Sequence, residues 1–189
     1  MSSLPIDRVL PELLTQLSTH TSVVVSADPG AGKTTRVPIA LLDAAWLGDQ
    51  KVVMLEPRRL AAQRAAEYMS SQLQERVGNT IGYRIRGEAR VSSVTRVEIV
   101  TEGILTRLLQ SDPELPGVGV IIFDEFHERS IHADLGLALA LDVQQHLRPE
   151  LRILVMSATL DGIAVSKLVG DVPIVESTGR MFPVETIYL

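Results

Sequence analysis

The stretch Ala27-Asp-Pro-Gly-Ala-Gly-Lys-Thr34 decides how this chain folds. Before it, the β-branched run Thr21-Ser-Val-Val-Val-Ser26 reads as a buried strand. After it, Lys33 to Ala45 places Val37, Ala40, Leu41 and Ala44 on one face of a helix. A glycine-rich turn between strand and helix suits an anion, above all a phosphate chain. Gly30 and Gly32 reach backbone angles that aim successive N–H groups inward, and the helix start adds its positive dipole end. Lys33 can reach β- and γ-phosphates, and the Thr34 hydroxyl can take a place on Mg²⁺. The candidate contacts are Ala27, Asp28, Pro29, Gly30, Ala31, Gly32, Lys33, Thr34 and Thr35. Ala27 stands where such loops usually carry their first glycine. It ends the strand, where alanine is sterically acceptable. A chance Lys-Thr after a glycine-rich turn is the plain alternative, and the strand–loop–helix context argues against it.

The same alternation continues outward. Lys51–Glu56 reads as a strand, and an Ala- and Gln-rich helix follows Pro57 to about Glu75, proline fitting a helix entry. Ile81–Arg86 and Val97–Val100 are strand-like, a helix runs from about Gly103 to Gln110, and Val118–Phe123 is an almost wholly apolar strand. Ala133–His146 reads as a helix and Leu151–Met156 as a buried strand; the tail after Gly170 is partly extended. Repeated β-α-β-α order predicts an α/β fold with a mainly parallel central sheet and helices on both faces.

Composition excludes several classes. The 189 residues suit one large α/β domain, and 46% apolar content is ordinary for a globular chain. With no cysteine there is no disulfide framework, thiolate metal site or thiol nucleophile, and the cytoplasm is the expected compartment. The longest apolar run, Leu135–Leu141, lies between Asp134 and Asp142 and is far short of a membrane span; the N-terminus has no secretory pattern. A net charge of −5 argues against nucleic-acid binding by bulk attraction. Yet the basic set is 15 Arg against 3 Lys, and arginine is the residue for forked phosphate contacts, so nucleic acid stays open.

Asp124-Glu125 closes the Val118–Phe123 strand at the sheet edge where ligands bind. Asp124 is placed to hold Mg²⁺ and Glu125 to orient or deprotonate the water attacking a γ-phosphorus. Alone, an acidic pair at a strand end is what any chain leaving a core needs. Coupled to the phosphate loop, it points to an NTPase.

Asp124-Glu-Phe-His-Glu-Arg-Ser130 resembles the DEAH box of superfamily-2 RNA helicases. Glu56-Pro-Arg-Arg-Leu-Ala-Ala62 resembles that family's motif Ia, Thr101-Glu-Gly103 its motif Ib and Ser157-Ala-Thr159 its motif III. Gly82–Arg86 and Gly179–Val184 also match family blocks, and the loop together with Phe126 is similar to the bacterial HrpB-type branch. The resemblance implies a P-loop NTPase with a RecA-like three-layer fold, the first of two motor domains, occupying 1–178, with 179–189 the hinge into a second. It implies ATP and Mg²⁺ as cofactors, held by Lys33, Thr34, Asp124 and Glu125. His127 would link the nucleotide site to the facing domain or to Ser157-Ala-Thr159, with Ser157 and Thr159 transmitting the nucleotide state.

Arg58, Arg59, Thr101, Glu102 and Gly103 would meet an RNA backbone without reading its sequence; for the two arginines, surface ion pairing is the alternative. Tyr68 lies ten residues after Arg58, where many DEAH proteins carry an arginine that stacks on adenine. A tyrosine face could do the same, core packing being the alternative. Phe126 replaces the usual alanine and packs either locally or toward a partner domain. The function expected is ATP-driven translocation on, or remodelling of, single-stranded or structured RNA by a monomer with no membrane attachment. A stand-alone P-loop nucleotide-binding module or scaffold without helicase activity is the alternative.

Overall fold

In a computed structural model of the chain, residues 3–158 and 162–177 are described. A short 3-10 turn, Pro5–Arg8, leads into helix α1 (Leu10–Thr19). The strands are β1 (Ser22–Ala27), β2 (Lys51–Leu55), β3 (Ile81–Ile85), β4 (Glu88–Arg90), β5 (Val97–Val100), β6 (Val118–Phe123), β7 (Arg152–Ser157) and β8 (Ile174–Ser177). The remaining helices are α2 (Lys33–Leu41), α3 (Arg59–Gln72), α4 (Glu102–Ser111), α5 (Ile131–His146) and α6 (Gly162–Val169). The strands form one eight-stranded sheet in the order β4-β3-β5-β2-β6-β7-β1-β8. Every pairing is parallel except the β3–β4 hairpin, which turns at Gly87.

The six residues of β1 and the six of β6 are all buried, as β-branched runs must be when helices cover both faces of a sheet. Alternate side chains separate into two cores. Val23, Val25, Met54, Ile122 and Met156 pack with α1, α2 and α3 on one face. Val24, Val53, Ile121, Phe123 and Val155 pack with α4, α5 and α6 on the other. Because β1, β2, β5, β6 and β7 run the same way, their carboxyl ends share one edge. That edge carries the segments after Ala27, Leu55, Val100, Phe123 and Ser157.

The α/β reading with a mainly parallel sheet stands, with adjustments. Helix α3 starts at Arg59, two residues beyond Pro57, so the proline sits ahead of the cap and not in the first turn. Helix α2 stops at Leu41, and α5 begins at Ile131 because the Ser130 hydroxyl accepts from the N–H groups of His132 and Ala133. Helices α1 and α6 and strand β4 were not expected.

Candidate nucleotide site and its neighbours

The phosphate loop is built as its glycines require. Gly30 and Gly32 have φ of +79° and +95°. At Gly32 a Cβ would also lie 2.6 Å from Leu4 Cδ1, so both conformation and space demand glycine there. The contact comes from the N-terminal turn, whose Ile6 N–H donates to the Ala31 carbonyl at 3.2 Å and whose Asp7 pairs with Arg36 at 3.6 Å. This buttress had no counterpart in the sequence reading. Among the described residues, the N–H groups of Gly30, Gly32, Lys33 and Thr34 donate to no backbone carbonyl, which leaves them directed at whatever the loop encloses.

Lys33 is buried, its ammonium donating to the Ala27 carbonyl at 2.7 Å. Ala27 itself is the last, fully buried residue of β1, so the missing first glycine costs the loop nothing. The Thr34 hydroxyl donates to Asp124 Oδ2 at 2.5 Å, and the Glu125 N–H donates to Oδ1 at 2.9 Å. Loop and acidic pair, ninety positions apart, therefore meet at one point. Burial pushes Asp124 up to about 6 against the downward pull of the Thr34 hydrogen bond, and the Glu125 charge adds to the rise. An anion this poorly solvated favours a cation beside it.

After the acidic pair the chain makes the 3-10 turn Phe126–Glu128, flanked by Glu125 and Arg129, both at φ of +50°. Phe126 is 1% exposed, edge-on to Phe123 with ring centroids 6.3 Å apart and with the Arg129 guanidinium 5.6 Å from its centroid. Of the two packings considered for it, the local one holds. His127 Nε2 lies 3.4 Å from Glu125 Oε2, and its Nδ1 accepts the Ala158 N–H at 3.4 Å, a pattern that places the imidazole proton on Nε2. His127 thus contacts this stretch through the Ala158 amide. The buried Ser157 hydroxyl has no partner among the described residues, and Thr159 lies outside them, as does the 179–189 tail.

The candidate RNA contacts share this edge. Arg58 and Arg59 are exposed at the start of α3, Thr101 is the buried N-cap residue of α4, and Glu102 and Gly103 open that helix. Arg58 forms an ion pair with Glu128, and Arg59 donates to the Arg86 carbonyl at 3.1 Å. Glu102 Oε1 accepts from the Ser130 hydroxyl at 2.5 Å. Tyr68 stands apart on α3, 47% exposed, so the core-packing alternative does not hold for it. Among the described residues no hydrogen bond or ring contact joins it to the loop.

One group went unread in the sequence. Glu56, only 4% exposed, follows β2 beside Asp124, and its carboxylate accepts the Arg58 N–H at 3.4 Å. Burial raises it to about 7, with the charges of Asp124, Glu125 and Glu128 adding to the effect. Its position immediately before Pro57 carried no signal of burial, since the register with β6 decides it.

The sequence pattern described as DEAD/DEAH box helicase matches residues 7–168. Among curated proteins, the chain is 53% identical over 189 residues to the ATP-dependent RNA helicase HrpB of Escherichia coli (strain K12), covering all of this chain and 23% of that protein. It is 38% identical to the putative ATP-dependent RNA helicase DHX57 of Homo sapiens, over 99% of this chain and 14% of the relative. The crystal structure of the Escherichia coli DEAH/RHA helicase HrpB superposes with a TM-score of 0.92 at 53% identity, over 97% of this chain and 23% of that one. The chain thus spans under a quarter of the length of these relatives. Motif order, a RecA-like sheet and a match over most of its length agree: this chain belongs to the DEAD/DEAH box helicase family.

Proposed function

We propose that residues 1–178 are the first of two RecA-like domains of an ATP-dependent RNA helicase of DEAH type, with 179–189 the start of the hinge into the second. One observation carries the reading: the Thr34–Asp124 hydrogen bond, which joins a phosphate loop with unspent N–H groups to a carboxylate at the strand edge. The donor set fits Mg²⁺ carried by a nucleotide. Mg²⁺ prefers hard oxygen ligands, often one or two protein groups beside phosphate and water. Thr34 and Asp124 would supply them, with Glu125 adjacent; the ion would neutralise charge on the phosphates. Among the described residues no group of three or more His, Cys, Asp or Glu could hold a metal by itself.

In this reading the loop N–H groups and Lys33 bind the phosphates, with the ammonium turning from the Ala27 carbonyl toward them. Glu125 takes the proton of the attacking water, and the His127 Nε2–H group steadies its carboxylate. Arg58, Arg59 and the Thr101–Gly103 turn meet the RNA backbone, and Tyr68 meets the base of the nucleotide. Ser157 and Thr159 pass the nucleotide state to the second domain. The working compartment is the cytoplasm, where ATP and RNA are both at hand; among the described residues no helix is long and apolar enough to cross a membrane. Calorimetric titration of Mg²⁺ with ATP or ADP tests the core of the proposal. Lys33→Ala is expected to weaken binding by about 1.5–3 kcal/mol, the worth of a charge-assisted contact; equal affinity for both proteins rejects it.

A further inference from the structure

The segment between the acidic pair and α5 touches both candidate sites at once. At one end Asp124 is bonded to Thr34 in the phosphate loop. At the other, Glu128 holds Arg58 and Ser130 bonds Glu102. Between them Phe126 is buried as an anchor, and Glu125 and Arg129 both take left-handed backbone angles that side chains resist. A short segment strained on both sides of a fixed ring is suited to two arrangements, not to continuous bending.

Two chemical conflicts follow. If the Thr34 hydroxyl oxygen takes a nucleotide-borne cation through a lone pair and Asp124 turns to the same ion, their mutual hydrogen bond must be redrawn at a new geometry, and the start of the segment moves with Asp124. At the far end, the Arg58 Nη2 group that donates to Glu128 is withheld from a phosphodiester, and the Glu128 carboxylate repels the same phosphodiester. The pair is largely solvent-exposed on the arginine side, so it is weak enough to be exchanged.

We propose that Glu128 is a positioning residue that holds Arg58 away from RNA in the nucleotide-free chain, so that nucleotide binding at the other end of the same segment sets RNA affinity through it. The inference rests on the RNA reading of Arg58 given above. It adds a route inside one domain, separate from the one through Ser157 and Thr159. Coupling of this kind is reciprocal, so RNA must change nucleotide affinity by the same factor.

The test uses the 189-residue chain, with thermal melts to establish folding of each variant, and two readouts. In the first, arginine labelling by phenylglyoxal is mapped by mass spectrometry without RNA. Glu128→Gln is expected to speed labelling of Arg58 about 2- to 5-fold, the scale of one exposed ion pair, while Arg59, which bonds a backbone carbonyl, serves as the internal control. Mg²⁺–ADP is expected to speed Arg58 labelling in the parent chain and to leave it unchanged in Glu128→Gln. In the second, binding of a fluorescent single-stranded RNA is measured with and without Mg²⁺–ADP. Glu128→Gln is expected to tighten RNA binding about 2- to 5-fold and to erase its dependence on nucleotide. Glu128→Asp, which keeps the charge, is expected to restore part of that dependence, an effect that loss of packing would not give. Unchanged Arg58 labelling in Glu128→Gln, or labelling indifferent to nucleotide in the parent chain, overturns the proposal even where RNA binding is too weak to measure. Faster labelling with RNA affinity unmoved also overturns it, provided Arg58→Ala weakens RNA binding. RNA binding unaffected by Arg58→Ala removes the RNA role of Arg58 itself and the proposal with it, leaving the nucleotide site standing.

Discussion

At the scale of single residues, the most consequential side chain outside the recognised motifs' usual roles is Glu56. Its carboxyl ordinarily titrates near 4.5 and is raised to about 7 by burial. The folded chain therefore holds a proton there that the unfolded chain has released, and stability contributed by this group falls as pH rises from about 4.5 to about 7, then levels. Glu56→Gln removes that loss. In metal-free buffer its stability relative to the parent chain should be near zero below pH 4.5 and grow to as much as about 3 kcal/mol above pH 7. Urea melts across that pH range measure the difference, and a gap that shrinks with rising pH contradicts the account. Phe126 gives a second prediction. A fully buried ring packed on Phe123 and under Arg129 is worth about 3–5 kcal/mol against alanine. Restoring the alanine common in this family's box should therefore destabilise this chain, and a Phe126→Ala melt no lower than the parent's would mean the pocket closes without cost.

At the scale of elements, the N-terminal turn and the phosphate loop behave as one unit. Leu4 fills the space beside Gly32, Ile6 is fully buried and bonded to Ala31, and Asp7 caps Leu4 N–H at 2.8 Å. Gly32→Ala meets a left-handed backbone and the Leu4 Cδ1 methyl at 2.6 Å together, so the backbone is strained and the Leu4 side chain must move aside. Nucleotide affinity is expected to fall at least about tenfold, more than the loss of one loop hydrogen bond. Gly30→Ala, with open space around its Cβ site, should lose less, since only conformation opposes it. Calorimetry on the two variants ranks them; the reverse order would mean that the Leu4 contact does not shape the loop.

At the scale of the molecule, the arginines that follow the phosphate loop and the acidic box are engaged within the domain. Arg36 pairs with Asp7, while Arg129 pairs with Asp134 at 3.3 Å and lies over Phe126. Both sit on the same domain as the loop, and their pairing opposes a reach across a γ-phosphate from the opposite side. An arginine supplied to the transition state is worth about 10³–10⁵ in rate, so the isolated chain should hydrolyse ATP slowly and unwind nothing. Steady-state assays with and without single-stranded RNA, against a chain extended through a second motor domain, check this. RNA-stimulated turnover in this chain equal to that of the longer one would return the reading to a complete single-domain NTPase. Net charge is −5 overall, so RNA binding is expected to draw on local groups such as Arg58 and Arg59 and to weaken with salt.

The linear chain by itself determined the parts whose information is local. The β-branched runs around Val23–Val25, Val52–Leu55 and Val118–Phe123 became central strands because a stretch apolar on both faces has nowhere else to go. The glycines of 27–34 fixed the loop because few residues accept a left-handed backbone. Short or weakly patterned elements escaped. Helix α1 buries only Leu13 and Leu17, α6 is eight residues long, and β4 is three residues with two exposed. Only the tertiary structure decided who faces whom: that Thr34 meets Asp124, that Leu4 abuts Gly32, that Glu56 is buried and that Glu128 holds Arg58. The physical reason is that these meetings depend on strand order and register, which set Glu56 beside Asp124 across β2 and β6. Register is chosen by the packing of both sheet faces together, so no window of sequence contains it.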